Sequence, residues 1–326
     1  MLNFAYARPD SLEAARALMR ETDGAAFIAG GTDMLNRIRD GVDAPDILVD
    51  ISRLDLDGID FDDARLSIRA MARNTAIAAD DRVRRHFPLI ADAIEAGASP
   101  QVRNFASAAG NILQATRCPY FRDAASPCNR RDPGSGCSAI AGESRKLGIL
   151  GVSAFCIATH GSDLAVALAA LDAQVITMPT SGGRRVLPIA ELHRLPEGTP
   201  EAVTNLEPGE MILRIEVPRV SADLRSAYVK TRDRASFGYA LVSAGVALDV
   251  ADGRVRSARI ALGGVAPRPW RATAAEEALR GVSPSGDAIR AAAALSTAGA
   301  TPTDDNRFKI DLTRRVVERA LAEALA

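Results

Sequence analysis

The sequence predicts an α+β chain of about two domains, or three small ones. Its 326 residues are compared with the ~150 typical of one domain. Short apolar strands alternate with amphipathic helices through the first hundred residues, and a hairpin followed by Ala-rich helices ends the chain. Hydrophobic residues make up 47% and charged residues 25%, as in ordinary globular proteins. With 25 Gly and 17 Pro, the chain is far below the ~25–30% of low-complexity sequences, which excludes disordered, collagen-like and fibrous classes. Forty basic and 41 acidic residues give a net charge of −1, without the electrostatic footprint of a nucleic-acid binder. The first ten residues lack the basic start and apolar core of a signal peptide. The purest apolar run, Leu164 to Leu171, is far shorter than the ~18 residues of a spanning helix. The expectation is no membrane insertion and a cytoplasmic location by the chain's own sequence.

Asp10 and Glu13 have capping-box spacing ahead of Leu12, Ala15, Leu18 and Met19, which recur at helical intervals. Ala26–Ala29 reads as a strand running into Gly30-Gly31-Thr32-Asp33, with a helix from Met34. Ile47–Asp50 and Leu66–Ala70 read as strands, and an Ala-rich helix is expected from about Ile77 to Ala96. Residues 117–151 are interrupted by Pro119, Pro127, Pro133, Gly134, Gly136 and Gly142, and no element can be drawn there. Loops beyond ~12–15 residues without structure are uncommon unless functional or disordered, so something must hold this one in place. Regular structure is expected again at Val152–Thr159, in a helix Leu164–Asp172, and in strands Val175–Met178 and Met211–Val217. Pro218–Ser221 reads as a linker. Ala240–Val250 and Val255–Leu262 flank Asp252-Gly253, a hairpin signal, and helices near Thr273–Arg280 and Leu312–Leu325 follow.

Three constellations carry chemistry. Ala29-Gly30-Gly31-Thr32-Asp33 lets the backbone approach a ligand and offers unpaired N–H groups to a phosphate, although a plain strand-to-helix turn reads the same way. Ser107-Ala108-Ala109-Gly110-Asn111 permits close approach too, or is simply a tight turn. Cys118, Cys128, Cys137 and Cys156 are concentrated within 39 residues, spaced C-x9-C-x8-C-x18-C. The paired C-x2–4-C knuckles of structural zinc are absent, whereas four thiolates in an irregular loop suit an iron–sulfur cluster; four reduced buried thiols remain the bland reading. Arg117, Arg122, Arg130, Arg131, Arg145 and Lys146 lie close in sequence and favour thiolates. His160, four residues after Cys156, reads as a ligand, a proton relay or a structural residue, and His86 and His193 carry no assignment.

In this order the segments resemble one family, the FAD-binding medium subunit of the molybdenum hydroxylases. Its A-G-G-T-[DN] and T-x-G-G-N loops correspond to Ala29–Asp33 and Ser107–Asn111. Its S-D ahead of an A-L-x-A-L-x-A helix corresponds to Ser162-Asp163 and Ala167–Ala173. Met211–Pro218, Tyr228-Val229-Lys230 with Arg232, and Gly263–Trp270 complete the set. Arg117-Cys118-Pro119-Tyr120-Phe121, Pro127-Cys128-Asn129-Arg130-Arg131 and Pro133–Cys137 are similar to the bacterial aldehyde oxidoreductases and 4-hydroxybenzoyl-CoA reductases, nearer the former.

The resemblance implies a two-subdomain FAD-binding fold of the p-cresol methylhydroxylase type, plus a C-terminal α+β domain of the CO dehydrogenase flavoprotein type. The implied divisions are residues 1–56, residues 57–217 with an inserted iron–sulfur loop at 117–151, and residues 221–326. It implies FAD held by Phe27, Ile28, Ala29, Gly30, Gly31, Thr32, Asp33, Ser107, Gly110, Asn111, Asp163, Ile212 and Lys230. It implies a 4Fe–4S cluster on Cys118, Cys128, Cys137 and Cys156. No residue of the chain is expected to act as a catalytic acid or base, because the flavin supplies the chemistry. The implied partners are a large molybdenum-cofactor subunit, a small 2Fe–2S subunit and an external electron acceptor. Co-export with a signal-bearing partner would place the complex in the periplasm. The implied function is electron transfer in a molybdenum aldehyde oxidoreductase. The alternatives are a hydroxybenzoyl-CoA reductase-type subunit and a non-redox scaffold with a four-cysteine zinc loop. Two residues depart from the family pattern: Ala109 replaces a Gly of the second loop, and Gly161 replaces the Pro before Ser162-Asp163.

Overall fold

A computed structural model describes residues 3–221 and 223–326. Three separate sheets organise them. The first is parallel, with Ile47–Asp50 between Ala5–Ala7 and Ala25–Ile28. Parallel neighbours need a crossover, supplied between Ala25–Ile28 and Ile47–Asp50 by the helix Met34–Arg39, and the two edge strands are joined by the helix Leu12–Glu21. Its N-cap is Ser11, whose Oγ accepts from the Ala14 N–H at 3.2 Å, so the expected cap at Asp10 moves on by one residue. Asp33 precedes the helix Met34–Arg39 without capping it, because its carboxylate is engaged elsewhere.

The second sheet is antiparallel, in the order Ile59–Phe61, Arg65–Arg69, Met211–Pro218, Gln174–Met178 and Arg185–Pro188. The single helix expected over 77–96 is instead three: Asn74–Ala79, Asp81–His86 and Pro88–Ala96. Asp80 is extended and caps the Arg82 and Val83 N–H groups, and Pro88 has no N–H to continue the preceding turn. The helix Asp163–Ala170 is capped by Ser162 and buried from Leu164 through Ala170, which is why it reads as an unbroken apolar run.

The third sheet is antiparallel, in the order Trp270–Arg271, Arg254–Gly263, Val242–Ala251 and Arg225–Thr231. Its hairpin turns at Asp252 and Gly253 with φ of 53° and 71°, the mirror-image turn the dipeptide favours. Helices Thr273–Leu279 and Lys309–Leu325 pack with it, and a third helix, Gly286–Leu295, was not expected between them. Its signal is visible in retrospect, as Ser285 caps it and Ile289, Ala292 and Ala293 are buried at helical spacing.

Val152–Thr159 forms no strand, contrary to expectation. Its neighbourhood is held by isolated bonds instead, such as Gly148 N–H to the Ile157 carbonyl at 2.8 Å and His160 N–H to the Ala266 carbonyl at 2.9 Å. Lys309 is fully buried and donates to the Leu147 and Gly264 carbonyls at 2.9 and 2.8 Å. Burial pushes its ammonium down to about 7. This lysine and Asn306, which donates to the Gly148 carbonyl, fasten the last helix to the end of the cysteine loop. No helix among the described residues is long and apolar enough to cross a membrane.

Candidate cofactor groove and cysteine recess

The strand Ala25–Ile28 delivers its glycine pair against the backbone of a neighbouring segment. A Cβ on Gly30 would lie 1.8 Å from the Phe105 carbonyl oxygen, so only glycine fits. Gly31 has φ +71°. The second loop is a short helix, Ala108–Ile112, with the buried Ser107 as its cap, accepting from Gly110 N–H at 3.2 Å. The Ala108 and Ala109 N–H groups donate to the Ala72 and Ala70 carbonyls, which lie just beyond the strand Arg65–Arg69.

Phe27, Ala29 through Asp33, Ser107, Gly110 and Ile212 line one cavity of about 320 Å³. Asn111, Asp163 and Lys230 line a second of about 280 Å³, which shares Thr32, Asp33 and Gly110 with the first. The two form one groove through the seam between the glycine loops. Ile28 lies outside it, and its carbonyl accepts from the Ile51 N–H at 3.1 Å. Lys230 and Asp163 meet at 2.7 Å with side chains only 4% and 10% exposed. Lys230 also donates to the Ala96 carbonyl, and Tyr228 donates its hydroxyl to Asp163 at 2.6 Å. Burial, then the Asp163 carboxylate, keeps the Tyr228 hydroxyl well above its ordinary value.

Sequence reasoning missed Asn74 and Tyr239, and read Arg117 only as a cation of the cysteine segment, not as a groove residue. Asn74 lines the groove, is 1% exposed, and its Oδ1 has no partner. Tyr239 lines the same groove with the Arg117 guanidinium over its ring at 5.0 Å. Gly161 leaves room for that ring, since a Cβ there would lie 3.1 Å from it. No local pattern announces these three as groove residues.

Asp33 faces away from a simple helix cap. Burial would raise its carboxyl, but the Ala115 N–H outweighs this together with Arg117, Arg122 and Arg37, and holds it below the usual carboxylate range. Arg122 and Arg117 pair with it at 2.8 and 2.9 Å. The first glycine loop is thereby tied to the start of the cysteine segment.

Cys118, Cys128, Cys137 and Cys156 line one recess, together with Arg130, Tyr120 and Phe121. All four are free thiols, and Cys128 and Cys137 face each other across an isolated antiparallel bridge. Among the described residues, no three His, Cys, Asp or Glu side chains converge closely enough to hold a metal ion. Burial pushes the Cys118 thiol up to about 11, and Cys156 is raised by burial too. The segment is less formless than its sequence suggests. One-turn helices occupy Pro119–Arg122 and Ser138–Ala141. Arg131 donates to the carbonyls of Tyr120, Phe121, Ala124 and Ser126, and Asn129 bonds Gly134, Gly136 and Phe155.

Known proteins match both halves of the chain. Residues 2–220 match the FAD binding domain in molybdopterin dehydrogenase, and residues 226–325 match the CO dehydrogenase flavoprotein C-terminal domain. The chain belongs to the FAD-binding medium subunits of the molybdenum hydroxylases. It is 44% identical to the aldehyde oxidoreductase FAD-binding subunit PaoB of Escherichia coli (strain K12), covering 100% of this chain and 99% of that one. It is 27% identical to the glyceraldehyde dehydrogenase medium chain of Sulfolobus acidocaldarius, covering 97% and 94%. Carbon monoxide dehydrogenase from Hydrogenophaga pseudoflava superposes with a TM-score of 0.79 at 27% identity, covering 99% of this chain and 98% of that one.

In this medium subunit, His160 and His193 both lie on the carbonyl of Ile112, the last residue of the second loop's helix, at 3.1 and 2.8 Å. Each Nε2 therefore carries a proton and donates. Their rings are 4.2 Å apart, and burial lowers both, His193 to about 4. Of the three readings open for His160, the geometry shows the structural one, and the unassigned His193 completes it. Between about 6.5 and about 4 the unfolded chain holds a proton at His193 that the folded chain does not, so stability falls as pH drops through that window. At ~1.4 kcal/mol per unit the full loss is about 3 kcal/mol. Denaturation at pH 7 and pH 4.5 should show it, and His193→Gln should flatten it; an unchanged slope in that variant would sink the assignment.

Proposed function

We propose that this chain is the FAD- and 4Fe–4S-carrying electron-transfer subunit of a molybdenum-containing aldehyde oxidoreductase. Its partners would be a large molybdenum-cofactor subunit that oxidises an aldehyde to a carboxylic acid and a small 2Fe–2S subunit. Electrons would leave from FAD to an external acceptor. Full-length similarity to an aldehyde oxidoreductase FAD-binding subunit supports this reading. The observation that carries it is the meeting of both glycine loops in one groove, tied through Asp33 to a segment whose four cysteines share a recess. A hydroxybenzoyl-CoA reductase-type subunit and a zinc scaffold are not favoured. The latter leaves the flavin-binding domain over residues 2–220 without a role.

The residues of the groove suit FAD. Backbone N–H groups from Gly30 to Asp33 and from Ser107 to Asn111 would receive the diphosphate, Ile212 gives an apolar wall, and Lys230 with Asp163 borders the groove. The recess gathers the four thiols a cluster would need, although as placed no three of them share a single metal position. Phe121 and Tyr120 N–H groups face the Cys118 sulfur, and the Ala158 N–H donates to Cys156 Sγ at 3.4 Å. Such N–H···S bonds stabilise thiolates, and a coordinating metal ionises even thiols held up by burial. Once bound, FAD and the cluster supply one- and two-electron redox chemistry that the side chains lack.

The full-length chain purified anaerobically is expected to carry FAD and iron. Cys128→Ser and Cys137→Ser should each lose the iron and open residues 117–151 to protease. Flavin should remain, because the ties to the glycine loop are made at residues 115–122, ahead of these cysteines. Iron retained in both variants would overturn the cluster, and zinc in the wild-type chain would restore the scaffold.

A further inference from the structure

Among the cations of the cysteine segment, Arg130 stands apart. Arg117 and Arg122 pair with Asp33, Arg131 is consumed by four carbonyls, and Arg145 and Lys146 pair with Asp233. Arg130 makes no hydrogen bond or ion pair among the described residues, and its Nε is buried without a partner. It lines the cysteine recess on one side and, on the other, a cavity of about 240 Å³ that it shares with His160 and His193.

None of its neighbours offers a counter-charge. The two histidines are neutral, each donating its Nε2 proton to Ile112. Asp43, in the same cavity, pairs with Arg37 at 2.6 Å, and Glu201 there is exposed and makes no ion pair with Arg130. The other side of Arg130 is the recess lined by the four cysteines. A guanidinium does not deprotonate, and an ion removed from water without a partner is strongly disfavoured. The site therefore lacks an anion that only the recess is placed to supply. Four thiolates around iron would provide it.

We propose that Arg130 is the electrostatic counter-ion of the cysteine-bound cluster, raising its reduction potential by stabilising the added electron. This rests on the cluster reading above. A cation beside a cluster favours the more negative, reduced state, so net charge and neighbouring donors set the potential. Arg130 also faces the two-histidine clamp that ends the second glycine loop, so it lies on the side of the recess toward the flavin groove.

The test is an EPR-monitored redox titration of the full-length chain, with iron per chain measured alongside. Arg130→Met should move the cluster's midpoint potential to a more negative value. Arg130→Lys, which keeps the charge, should restore most of it. Arg145→Gln, which removes a cation paired with Asp233 at the surface, should titrate with the wild type. Iron lost in Arg130→Met but kept at wild-type potential in Arg130→Lys leads to the same conclusion. A wild-type potential in Arg130→Met with full iron overturns the proposal. So does an equal shift, or equal loss of iron, in the Met and Lys variants, because the role would then be one of shape. Absence of iron from the wild-type chain would refute the cluster itself and is read from the iron assay alone.

Discussion

Gly30→Ala is expected to remove FAD from the protein. The new Cβ would lie 1.8 Å from the Phe105 carbonyl oxygen, a backbone atom that cannot swing aside as a side chain would. Phe105 is held in turn by Arg73, which donates to the same oxygen. The first glycine loop must retreat, and Gly30 and Ser107 line the same cavity, so the groove loses its shape at the seam. Overpacking of this kind costs ~1–3 kcal/mol, and each ~1.4 kcal/mol is tenfold in affinity, so affinity for FAD should weaken about tenfold or more. Gly198→Ala is the matched control. Like Gly30 it lies outside the left-handed region, but nothing lies within 4 Å of its added Cβ. The readout is the ratio of flavin to protein absorbance. Full flavin in Gly30→Ala would show that the loops tolerate separation and do not shape the groove.

Lys230→Met should destabilise the chain even without flavin. Asp163 begins the buried helix Asp163–Ala170, Lys230 lies on the strand Arg225–Thr231 of the third sheet, and the Ala96 carbonyl ends a third element. The ion pair is nearly buried, so removing the ammonium leaves Asp163 charged with only the Tyr228 hydroxyl from that sheet facing it. Breaking one partner from a buried pair costs ~3–5 kcal/mol, whereas removing both charges together costs far less. The double variant Asp163→Asn/Lys230→Met should therefore recover much of the loss. Thermal unfolding of the flavin-free chain decides it. Wild-type stability in apo Lys230→Met, with only flavin affinity reduced, would make Lys230 a cofactor contact and nothing more.

The parts of the site that were legible in the sequence are those whose chemistry is local. Glycine pairs after a strand announce close backbone approach because steric freedom belongs to the residue itself, and both loops do border the groove. Four cysteines in one irregular segment announce a shared environment, and they share a recess. Element boundaries failed where a single side chain overrode periodicity. Asp80 and Pro88 cut one apolar helix pattern into three because a cap and a missing N–H act on the backbone irrespective of the hydrophobic face.

By itself the sequence determined many of the strands and helices, the two glycine loops, the grouping of the four cysteines and the family they resemble. Only the tertiary structure decided which charges meet. Asp33 reads as a helix cap or ligand contact, yet it anchors Arg117 and Arg122 from more than 80 residues away. Asp163 and Lys230 read as two separate cofactor contacts, yet they pair with each other. His160 and His193 meet on one carbonyl, and Arg130 is left with no counter-charge. Propensity and periodicity act over a few residues, whereas desolvation makes a buried charge depend on whichever distant group packs beside it.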